Sequence, residues 1–269
     1  MTQKIDGVSH IIVVSSGKGG VGKSTLSANL ATALRLEGAK VGLIDADVYG
    51  PSIPQMLGVL DLPEFETDSS GKEWLVPPQA NGVKVISMGF LMDPEKAAAW
   101  RGPMLHKTLR QFFTQVKWGE LDYLLIDMPP GTGDVQLSVQ ELVDVSGALI
   151  VTTPQEVSVQ DVKRAISMFQ SVNVPLLGVI ENMSFFMSPN GERLELFGKG
   201  GGKRISEHYA LELLAELPLD PDVRELADRG FPAVIERPLS EFSQKLRLVS
   251  KRLVERLVEL DIEKPQIKS

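Results

Sequence analysis

A glycine-rich run near the N-terminus constrains the fold more than any other feature of the chain. Its residues are Gly17-Lys18-Gly19-Gly20-Val21-Gly22-Lys23-Ser24-Thr25. An apolar, β-branched stretch at 11–15 precedes the run, and a stretch of helical period at 24–37 follows it and ends at Gly38. Because backbone N–H groups converge where a glycine loop enters a helix, this order of strand, loop and helix predicts a site for phosphate.

The run fits two phosphate-binding patterns at once. Gly17, Gly19 and Gly22 match the G-x-G-x-x-G of dinucleotide sites, and Asp45 follows Gly22 by 45 − 22 = 23 residues, near the ~20 expected for a ribose-binding acid. The run also matches the P-loop, G-x-x-x-x-G-K-[ST]. A dinucleotide needs no cation after the last glycine, whereas a triphosphate needs Lys23 on its terminal phosphates and the Ser24 hydroxyl on Mg²⁺. The sequence therefore favours a nucleoside triphosphate with Mg²⁺, bound by the backbone and side chains of residues 17–25.

Further apolar runs alternate with helical stretches along most of the chain. The runs that predict strands lie at 11–15, 41–46, 83–88, 123–128, 148–152 and 176–181, and those that predict helices lie at 24–37, 104–116 and 157–172. This alternation is typical of an α/β fold with a doubly wound, mainly parallel sheet. We expect one domain over 1–269, with a lead-in at 1–9 and a flexible tail at 261–269. The stretches 60–81 and 183–203 break the alternation and are predicted to be long loops.

A second part of the nucleotide site follows the strand at 123–128. That strand ends at Asp127, and Pro129-Pro130-Gly131-Thr132-Gly133-Asp134 comes next. A carboxylate at this place can support Mg²⁺, and the amide of Gly131 can reach a γ-phosphate. The alternative is a Pro-Gly turn in which Asp134 caps the next helix.

Two more carboxylates follow the strand at 41–46. We expect Asp47 to orient the water that attacks the γ-phosphate, and Asp45 to support the metal together with Ser24 and Asp127, partly through water. The alternative for Asp45 is that it caps a short helix near Ile53.

Composition excludes several function classes. The 28 Lys and Arg against 35 Asp and Glu give a net charge of −7, which argues against a nucleic-acid partner. Apolar stretches stay far below the ~20 residues of a membrane span. The chain has no Cys, which excludes disulfides and cysteine nucleophiles. Since no export signal is evident, a cytoplasmic protein is expected.

Lys18 carries a resemblance to a known class. With Gly19 to Ser24 it resembles the deviant Walker A motif of the MinD, ParA and nitrogenase iron-protein class. The resemblance implies a dimer in which Lys18 reaches the partner's nucleotide and acts as a catalytic residue together with Lys23 and Asp47. The alternative is a solvated surface lysine.

Within that class the chain is similar to the Mrp/ApbC family of iron–sulfur carrier ATPases. The motifs that carry this resemblance are Asp45 to Pro54, Arg101-Gly102-Pro103-Met104, Leu121-Asp122-Tyr123, Asp127 to Asp134 and Glu181-Asn182-Met183-Ser184. It implies Mg-dependent ATP hydrolysis in iron–sulfur cluster assembly or transfer. It also implies that Asn182 binds the adenine edge and that Pro218 and Asp220 border the base pocket. The implied partners are a second copy, or a Cys-bearing relative, and iron–sulfur client or scaffold proteins.

The chain departs from the family at one place. Relatives carry a Cys-Pro-x-Cys pair just past the Asn-Met-Ser segment, whereas here Phe185-Phe186-Met187 leads into Ser188-Pro189-Asn190-Gly191-Glu192. Since thiolates hold iron–sulfur clusters, direct ligation of a cluster by this chain is not expected. Phe185, Phe186 and Met187 either contact a partner or pack into the core.

Two other functions are weighed against this one. A MinD- or ParA-like positioning switch would use the last helix, whose apolar stripe runs from Phe242 to Leu260 beside several basic residues. Packing of that stripe on its own domain is the favoured interpretation. A small-molecule kinase or synthetase ranks last, because no further set of charged residues converges on the nucleotide motifs.

Overall fold

The architecture is a central sheet with helices on both faces, and a computed structural model describes it for residues 2–91 and 102–263. The strands are β1 (Val8–Ser16), β2 (Val41–Asp45), β3 (Glu64–Thr67), β4 (Glu73–Val76), β5 (Gln79–Ala80), β6 (Val83–Ser87), β7 (Leu121–Asp127), β8 (Gly147–Thr152), β9 (Leu176–Met187), β10 (Arg193–Leu194) and β11 (Leu213–Pro218). The helices are α1 (Lys23–Leu36), α2 (Ile53–Leu57), α3 (Gly102–Thr114), α4 (Asp134–Leu142), α5 (Glu156–Ser171), α6 (Gly201–Tyr209), α7 (Pro221–Asp228), α8 (Ala233–Glu236) and α9 (Glu241–Glu263).

The sheet has the strand order β10-β9-β8-β1-β7-β2-β6-β5, and β11 also pairs with β9. Pairing is parallel from β11 through β9, β8, β1, β7 and β2 to β6, and antiparallel where β5 and β10 join. The predicted α/β, doubly wound fold is confirmed, and each of the six predicted strands and three predicted helices overlaps an observed element.

The side chains of β1 alternate between two apolar cores. Ile11 and Val13 pack with α3, α4 and α5, whereas Ile12 and Val14 pack with α1 and α9 on the other face. Because β1 is covered on both sides, it reads as a continuous apolar run rather than an in-and-out pattern. This burial fixes the carboxyl ends of β1, β2 and β7 side by side, at the edge where the predicted site residues lie.

Helix α9 buries its apolar stripe within the chain, as favoured above. Phe242, Leu246, Val249, Leu253 and Leu257 are buried against α1, α8 and β11. Its basic side chains pair with acids of the same chain: Arg247 and Lys251 reach Glu37, and Arg252 reaches Glu212. None of the helices in 2–91 and 102–263 is long and apolar enough to cross a bilayer.

The two stretches predicted as loops contain strands. In 60–81, β3 and β4 form an antiparallel hairpin and β5 joins the main sheet. In 183–203, β9 continues to Met187 and turns back into β10. Phe185 is buried, Phe186 is half-buried and Met187 is exposed, so the three residues divide between the two interpretations given above.

Some predictions fall on residues outside the described ranges. Arg101 of the Arg101-Gly102-Pro103-Met104 motif is one of them. Of the tail expected at 261–269, residues 261–263 belong to α9 and the others lie beyond the described ranges. Before β1, Ile5 is buried and Gln3 bridges to Val143, so the lead-in packs against the domain.

Candidate nucleotide site

The glycines of the loop between β1 and α1 serve different purposes. A Cβ at Gly17 would lie 2.3 Å from the carbonyl carbon of Asp161, so the loop lies directly on α5. Gly22 has φ +81°, and a Cβ there would lie 2.3 Å from Asn182 Nδ2. At Gly20, also at positive φ, no described atom lies within 4 Å of the Cβ position. The loop is thus packed against α5 and Asn182 on one side and open at Gly20 on the other, as a phosphate-binding loop must be.

A buried cluster joins the loop to the end of β7. Lys23 Nζ lies 2.8 Å from Asp127 Oδ2, and their side chains are 6% and 0% exposed. The same Oδ2 accepts a hydrogen bond of 2.6 Å from the Ser24 hydroxyl, while Oδ1 accepts one of 2.6 Å from the Ser27 hydroxyl. These contacts bring together the lysine, the hydroxyl and the carboxylate that the sequence assigned to phosphate and Mg²⁺.

The chemistry of this cluster fits a magnesium ion. Ser24 donates its only hydroxyl proton to Asp127 and accepts a long hydrogen bond of 3.3 Å from Lys23 Nζ, which leaves one lone pair of its oxygen available to a hard cation. Because Asp127 is hydrogen-bonded to Ser24, it would contact an ion held by Ser24 through a bound water. Lys23 remains able to donate toward the loop, because its ammonium has three N–H donors.

Asp45 is placed differently from the metal-supporting role predicted for it. Its two oxygens accept four hydrogen bonds of 3.0–3.2 Å, from the backbone of Asp47, Ser52 and Ile53 and from the Ser87 hydroxyl. The alternative, in which Asp45 holds the start of a short helix near Ile53, describes these contacts, and its metal role stays a prediction. Burial, with the nearby charge of Asp127 adding to it, raises the pKa of Asp45 to about 7.

Asp47 faces the space in front of the loop. A cavity of about 190 Å³ is lined by Lys18 to Thr25 together with Ser16, Asp47, Ser52, Met56 and Pro130. Asp47 Oδ1 accepts hydrogen bonds from the backbone of Tyr49 and Gly50, at 3.1 and 3.2 Å. No donor within 2–91 and 102–263 reaches Oδ2 of Asp47, so this oxygen is available to a water in the cavity.

A second cavity, of about 200 Å³, adjoins the first. The two share Gly22, Thr25 and Met56. The residues that the resemblance assigned to the base all line it: Asn182, Pro218 and Asp220. Asn182 donates to the carbonyl of Val21 at 2.9 Å, and its side-chain carbonyl accepts from none of the described donors. Residues 18–25 and the predicted base residues therefore border two adjoining cavities, called the channel below, whereas the predicted phosphate residues Gly17 and Gly131 line neither of them.

Several lining residues of the base cavity were missed by the sequence analysis. They are Met56, Met183, Val223 and Phe242, which give the cavity its apolar walls. Met183 has φ +54°, an uncommon value for a side chain of this size. Its position next to Asn182 was the only signal available. A larger groove of about 470 Å³ lies between α1 and α9; Asp122 and Tyr123 of the Leu121-Asp122-Tyr123 motif line it, but none of the residues assigned to the nucleotide does.

Comparisons with known proteins place the chain in a family. The model for the ParA group described as NUBPL iron-transfer P-loop NTPase matches residues 7–254. The chain belongs to this family. Among relatives of the NUBPL-type NTPase, an iron-sulfur cluster carrier protein from Deinococcus radiodurans is 50% identical over 250 residues, which are 93% of this chain and 70% of the relative. One of the same name from Escherichia coli K12 is 47% identical over 254 residues, 94% of this chain and 68% of the relative.

Solved structures similar to this NTPase agree with that family. A nucleotide-binding protein in complex with ADP from Archaeoglobus fulgidus is 40% identical, with a TM-score of 0.74 over 88% of this chain and 91% of that one. The septum site-determining protein MinD complexed with Mg-ADP from Pyrococcus horikoshii is 25% identical, with a TM-score of 0.66 over 95% of this chain and 96% of that one. The resemblance to the Mrp/ApbC family and to the MinD and ParA class is confirmed.

A buried glutamine that the sequence analysis missed supports the loop after β7. Gln136 is 1% exposed, and its Nε2 donates to the carbonyls of Pro129 at 2.7 Å and Gly131 at 3.0 Å. The Gly131 amide donates to the carbonyl of Ser16 at 3.0 Å. Within the described parts of this NTPase no donor reaches Gln136 Oε1. The loop predicted to contact the γ-phosphate is thus held by Gln136, which donates to two of its carbonyls, and by the Gly131 amide, which donates to Ser16 rather than facing the cavity.

Lys18, the residue that characterises the deviant Walker A motif, contacts its own subunit. Its Nζ donates to Gln155 Oε1 at 2.7 Å, and its side chain is half-buried. No carboxylate of the described residues lies within the 4.0 Å of an ion pair with it. The alternative of a merely solvated lysine does not describe this contact.

The described residues do not fit an iron–sulfur cluster. The chain has no Cys, and no group of three or more His, Asp or Glu side chains in 2–91 and 102–263 could hold a metal ion. The turn where relatives carry thiolates is closed by hydrogen bonds between Ser188 and Glu192. Behind it, Phe185 lies under the guanidinium of Arg193, 3.9 Å from the ring centre. This segment is a packed hairpin without cluster ligands.

Proposed function

We propose that this chain binds ATP with Mg²⁺, hydrolyses it to ADP and phosphate as a dimer, and acts in iron–sulfur cluster assembly or transfer in the cytoplasm. The observation that carries the proposal is the buried contact of Lys23 and Ser24 with Asp127, beside the channel of the two adjoining cavities. Family membership and the ADP complex of the Archaeoglobus fulgidus protein support it.

Binding in this proposal divides along the channel. The backbone amides of the loop from Gly17 to Thr25 hold the phosphates, and Lys23 reaches the γ-phosphate. The Gly131 amide joins Lys23 there when it exchanges its hydrogen bond to the Ser16 carbonyl for a phosphate oxygen. Asn182, with Pro218 and Asp220 beside it, holds the adenine edge. Ser24 and, through water, Asp127 hold Mg²⁺, which supplies charge neutralisation to the phosphate oxygens. Asp45 enters as the residue that fixes α2 and the backbone of Asp47.

Hydrolysis then needs a positioned water and a compensating charge. Asp47 orients the water through its available oxygen and accepts its proton. Lys18 of the second copy stabilises the charge that develops on the γ-phosphate, a role for which an arginine finger is worth about 10³ to 10⁵ in rate. Since the catalytic Lys18 comes from a second copy in this proposal, turnover should depend on protein concentration.

The part played in iron–sulfur metabolism is an ATP-dependent one in which the cluster is cargo. Relatives named iron-sulfur cluster carrier proteins support this pathway. The absence of Cys argues that thiolates come from elsewhere, either a client or scaffold protein or a Cys-bearing relative that forms a heterodimer with this chain.

Calorimetry and phosphate release test the ATPase. Lys23→Ala should abolish binding of Mg-ATP, whereas Lys18→Ala should bind it and lose hydrolysis. Lys117→Ala, which breaks an exposed pair with Glu66, is the control and should do neither. Equal loss of binding in both loop variants would refute the role of Lys18 in the dimer.

The pathway is tested by anaerobic purification with native partners. We expect cluster-bearing proteins to co-purify with the wild type in a manner that depends on ATP. Reconstitution of the chain alone with iron and sulfide should give no cluster absorbance. A cluster bound to the isolated chain would overturn the inference about ligands, and the absence of any interaction with that pathway would remove the pathway from the proposal.

A further inference from the structure

The side-chain amide of Gln155 contacts the lysine of the deviant Walker A motif. Gln155 is the residue that precedes α5, and its side chain forms no capping hydrogen bond to that helix. Its Oε1 instead accepts from Lys18 Nζ at 2.7 Å, across 137 residues of sequence. The Gln155 side chain therefore does not cap helix α5; it holds the Lys18 side chain of the phosphate loop instead.

Close packing of the backbone next to Lys18 against α5 keeps Lys18 within reach of Gln155. Gly17 lies so close to Asp161 and Val162 of α5 that a Cβ would meet their backbone at 2.3–2.4 Å. The first turn of the loop and the start of α5 are thus fixed against each other. After Lys18, Gly19 and Gly20 are exposed; a Cβ at Gly20 would face open space, and one at Gly19 would have only Pro130 Cγ near it among the described atoms, at 3.9 Å. Lys18 can therefore leave Gln155 by side-chain rotation, without moving the loop.

The strength of the contact is suited to release. Lys18 meets an uncharged amide oxygen, which attracts an ammonium less than a carboxylate does. Among the described residues it has no ion-pair partner. Glu156, the neighbour of Gln155, pairs instead with Arg204 at 3.1 Å and is turned to solvent. A carboxylate at 155 would hold Lys18 more firmly, and an apolar side chain would not hold it.

We propose that Gln155 is a positioning residue that holds Lys18 against its own subunit, so that closing the dimer exchanges this contact for the partner's nucleotide. The inference rests on the proposed function, in which Lys18 acts in trans. Two copies give up two such contacts when a dimer closes. The fraction of molecules in which Lys18 is not bound to Gln155 then sets the apparent affinity with which two copies form the closed dimer, because only that fraction is competent to bind.

The experiment compares Gln155→Ala and Gln155→Glu with the wild type and with Gln160→Ala. Gln160 lies on the same helix and is exposed, and among the described residues its side chain bonds to Glu156 alone. The first readout is ATP turnover against protein concentration. We expect the concentration for half-maximal turnover to fall about tenfold in Gln155→Ala and to rise in Gln155→Glu, with Gln160→Ala unchanged.

The second readout does not depend on turnover. Labelling of Lys18 by an amine-reactive reagent, followed by mass spectrometry of the nucleotide-free protein, should be fastest in Gln155→Ala and slowest in Gln155→Glu. Equal labelling rates and equal concentration dependence across the series would overturn the inference. If Lys18→Ala is inactive while the Gln155 series is flat, only this inference fails. If Lys18→Ala hydrolyses ATP like the wild type, the proposed function fails first.

Discussion

Replacing Lys23 with methionine tests the buried cluster at the end of β7. Met keeps the apolar stem of the side chain and removes the ammonium that lies 2.8 Å from Asp127. Removing one partner of a buried ion pair costs about 3–5 kcal/mol, because the other charge stays buried without compensation. Since the hydroxyls of Ser24 and Ser27 still donate to Asp127, we expect a loss of about 3 kcal/mol in the free energy of unfolding.

Urea denaturation at pH 8 without nucleotide measures this loss. Lys117→Met is the matched control, because Lys117 also lies 2.8 Å from its partner Glu66, but their side chains are 53% and 54% exposed. An exposed pair of this kind contributes about 0–1 kcal/mol. Adding Asp127→Asn to Lys23→Met should restore part of the stability, with a coupling energy of about 1–3 kcal/mol.

Nucleotide extends the same measurement to binding. At 100 times its dissociation constant, Mg-ATP should add about 2.7 kcal/mol to the wild type and nothing to Lys23→Met. If Lys23→Met and Lys117→Met cost the same, the argument from burial is wrong. If Mg-ATP stabilises Lys23→Met as it does the wild type, Lys23 does not hold the phosphates.

Three other outcomes follow from particular residues. The raised pKa of Asp45, about 7 against 3.8 unfolded, means that the folded state binds the extra proton, so stability should fall as pH rises from about 4 to 7; urea denaturation across that window should show a smaller fall in Asp45→Asn, and an equal fall would contradict the assignment. Gly22→Ala should lose Mg-ATP affinity by calorimetry because its Cβ would lie 2.3 Å from Asn182 Nδ2, whereas Gly38→Ala, at φ +98° in open space, should keep it. Leu253→Ala should lower the free energy of unfolding by about 2–5 kcal/mol with ATP affinity retained, since its fully buried side chain fills the core under α9 rather than the site; a change of less than 1 kcal/mol would contradict that packing.

The sequence predicted best those features that are local or repeated along the chain. Each of these features has a sequence pattern that fits within about ten residues: the loop at 17–25, the apolar strands, and Asp127 at the end of β7. The motifs were enough to assign Asp127 and Lys23 to one site, but their direct contact depends on the insertion of β7 between β1 and β2, which the sequence did not predict. The base residues Asn182 and Pro218 came instead from family resemblance, because no local pattern marks them.

What the sequence did not predict depends on distant partners or on the lack of a pattern. The contact of Lys18 with Gln155 spans 137 residues, and no spacing rule connects them. Strand β3 reads Glu64-Phe65-Glu66-Thr67 and is exposed at every position, so neither face shows the alternation that marks a half-buried strand. The direction of Asp45 was likewise undecided, because capping α2 and holding a metal both require a carboxylate at the end of β2.

Two buried carboxylates lie close together at that edge of the sheet, which is electrostatically unfavourable. Asp45 and Asp127 are opposite each other in the register of β2 and β7, and both are fully buried. Only Lys23 pairs with either of them among the described residues, so one carboxylate is balanced by hydrogen-bond donors alone. When both carboxylates are ionised, one ammonium leaves a net negative charge, and the raised pKa of Asp45 reflects its burial beside the charge of Asp127. Under the proposed function, a divalent cation held by Ser24 offsets that negative charge beside the phosphates. Binding of the cation and nucleotide should therefore stabilise the folded protein by reducing the repulsion between the buried carboxylates.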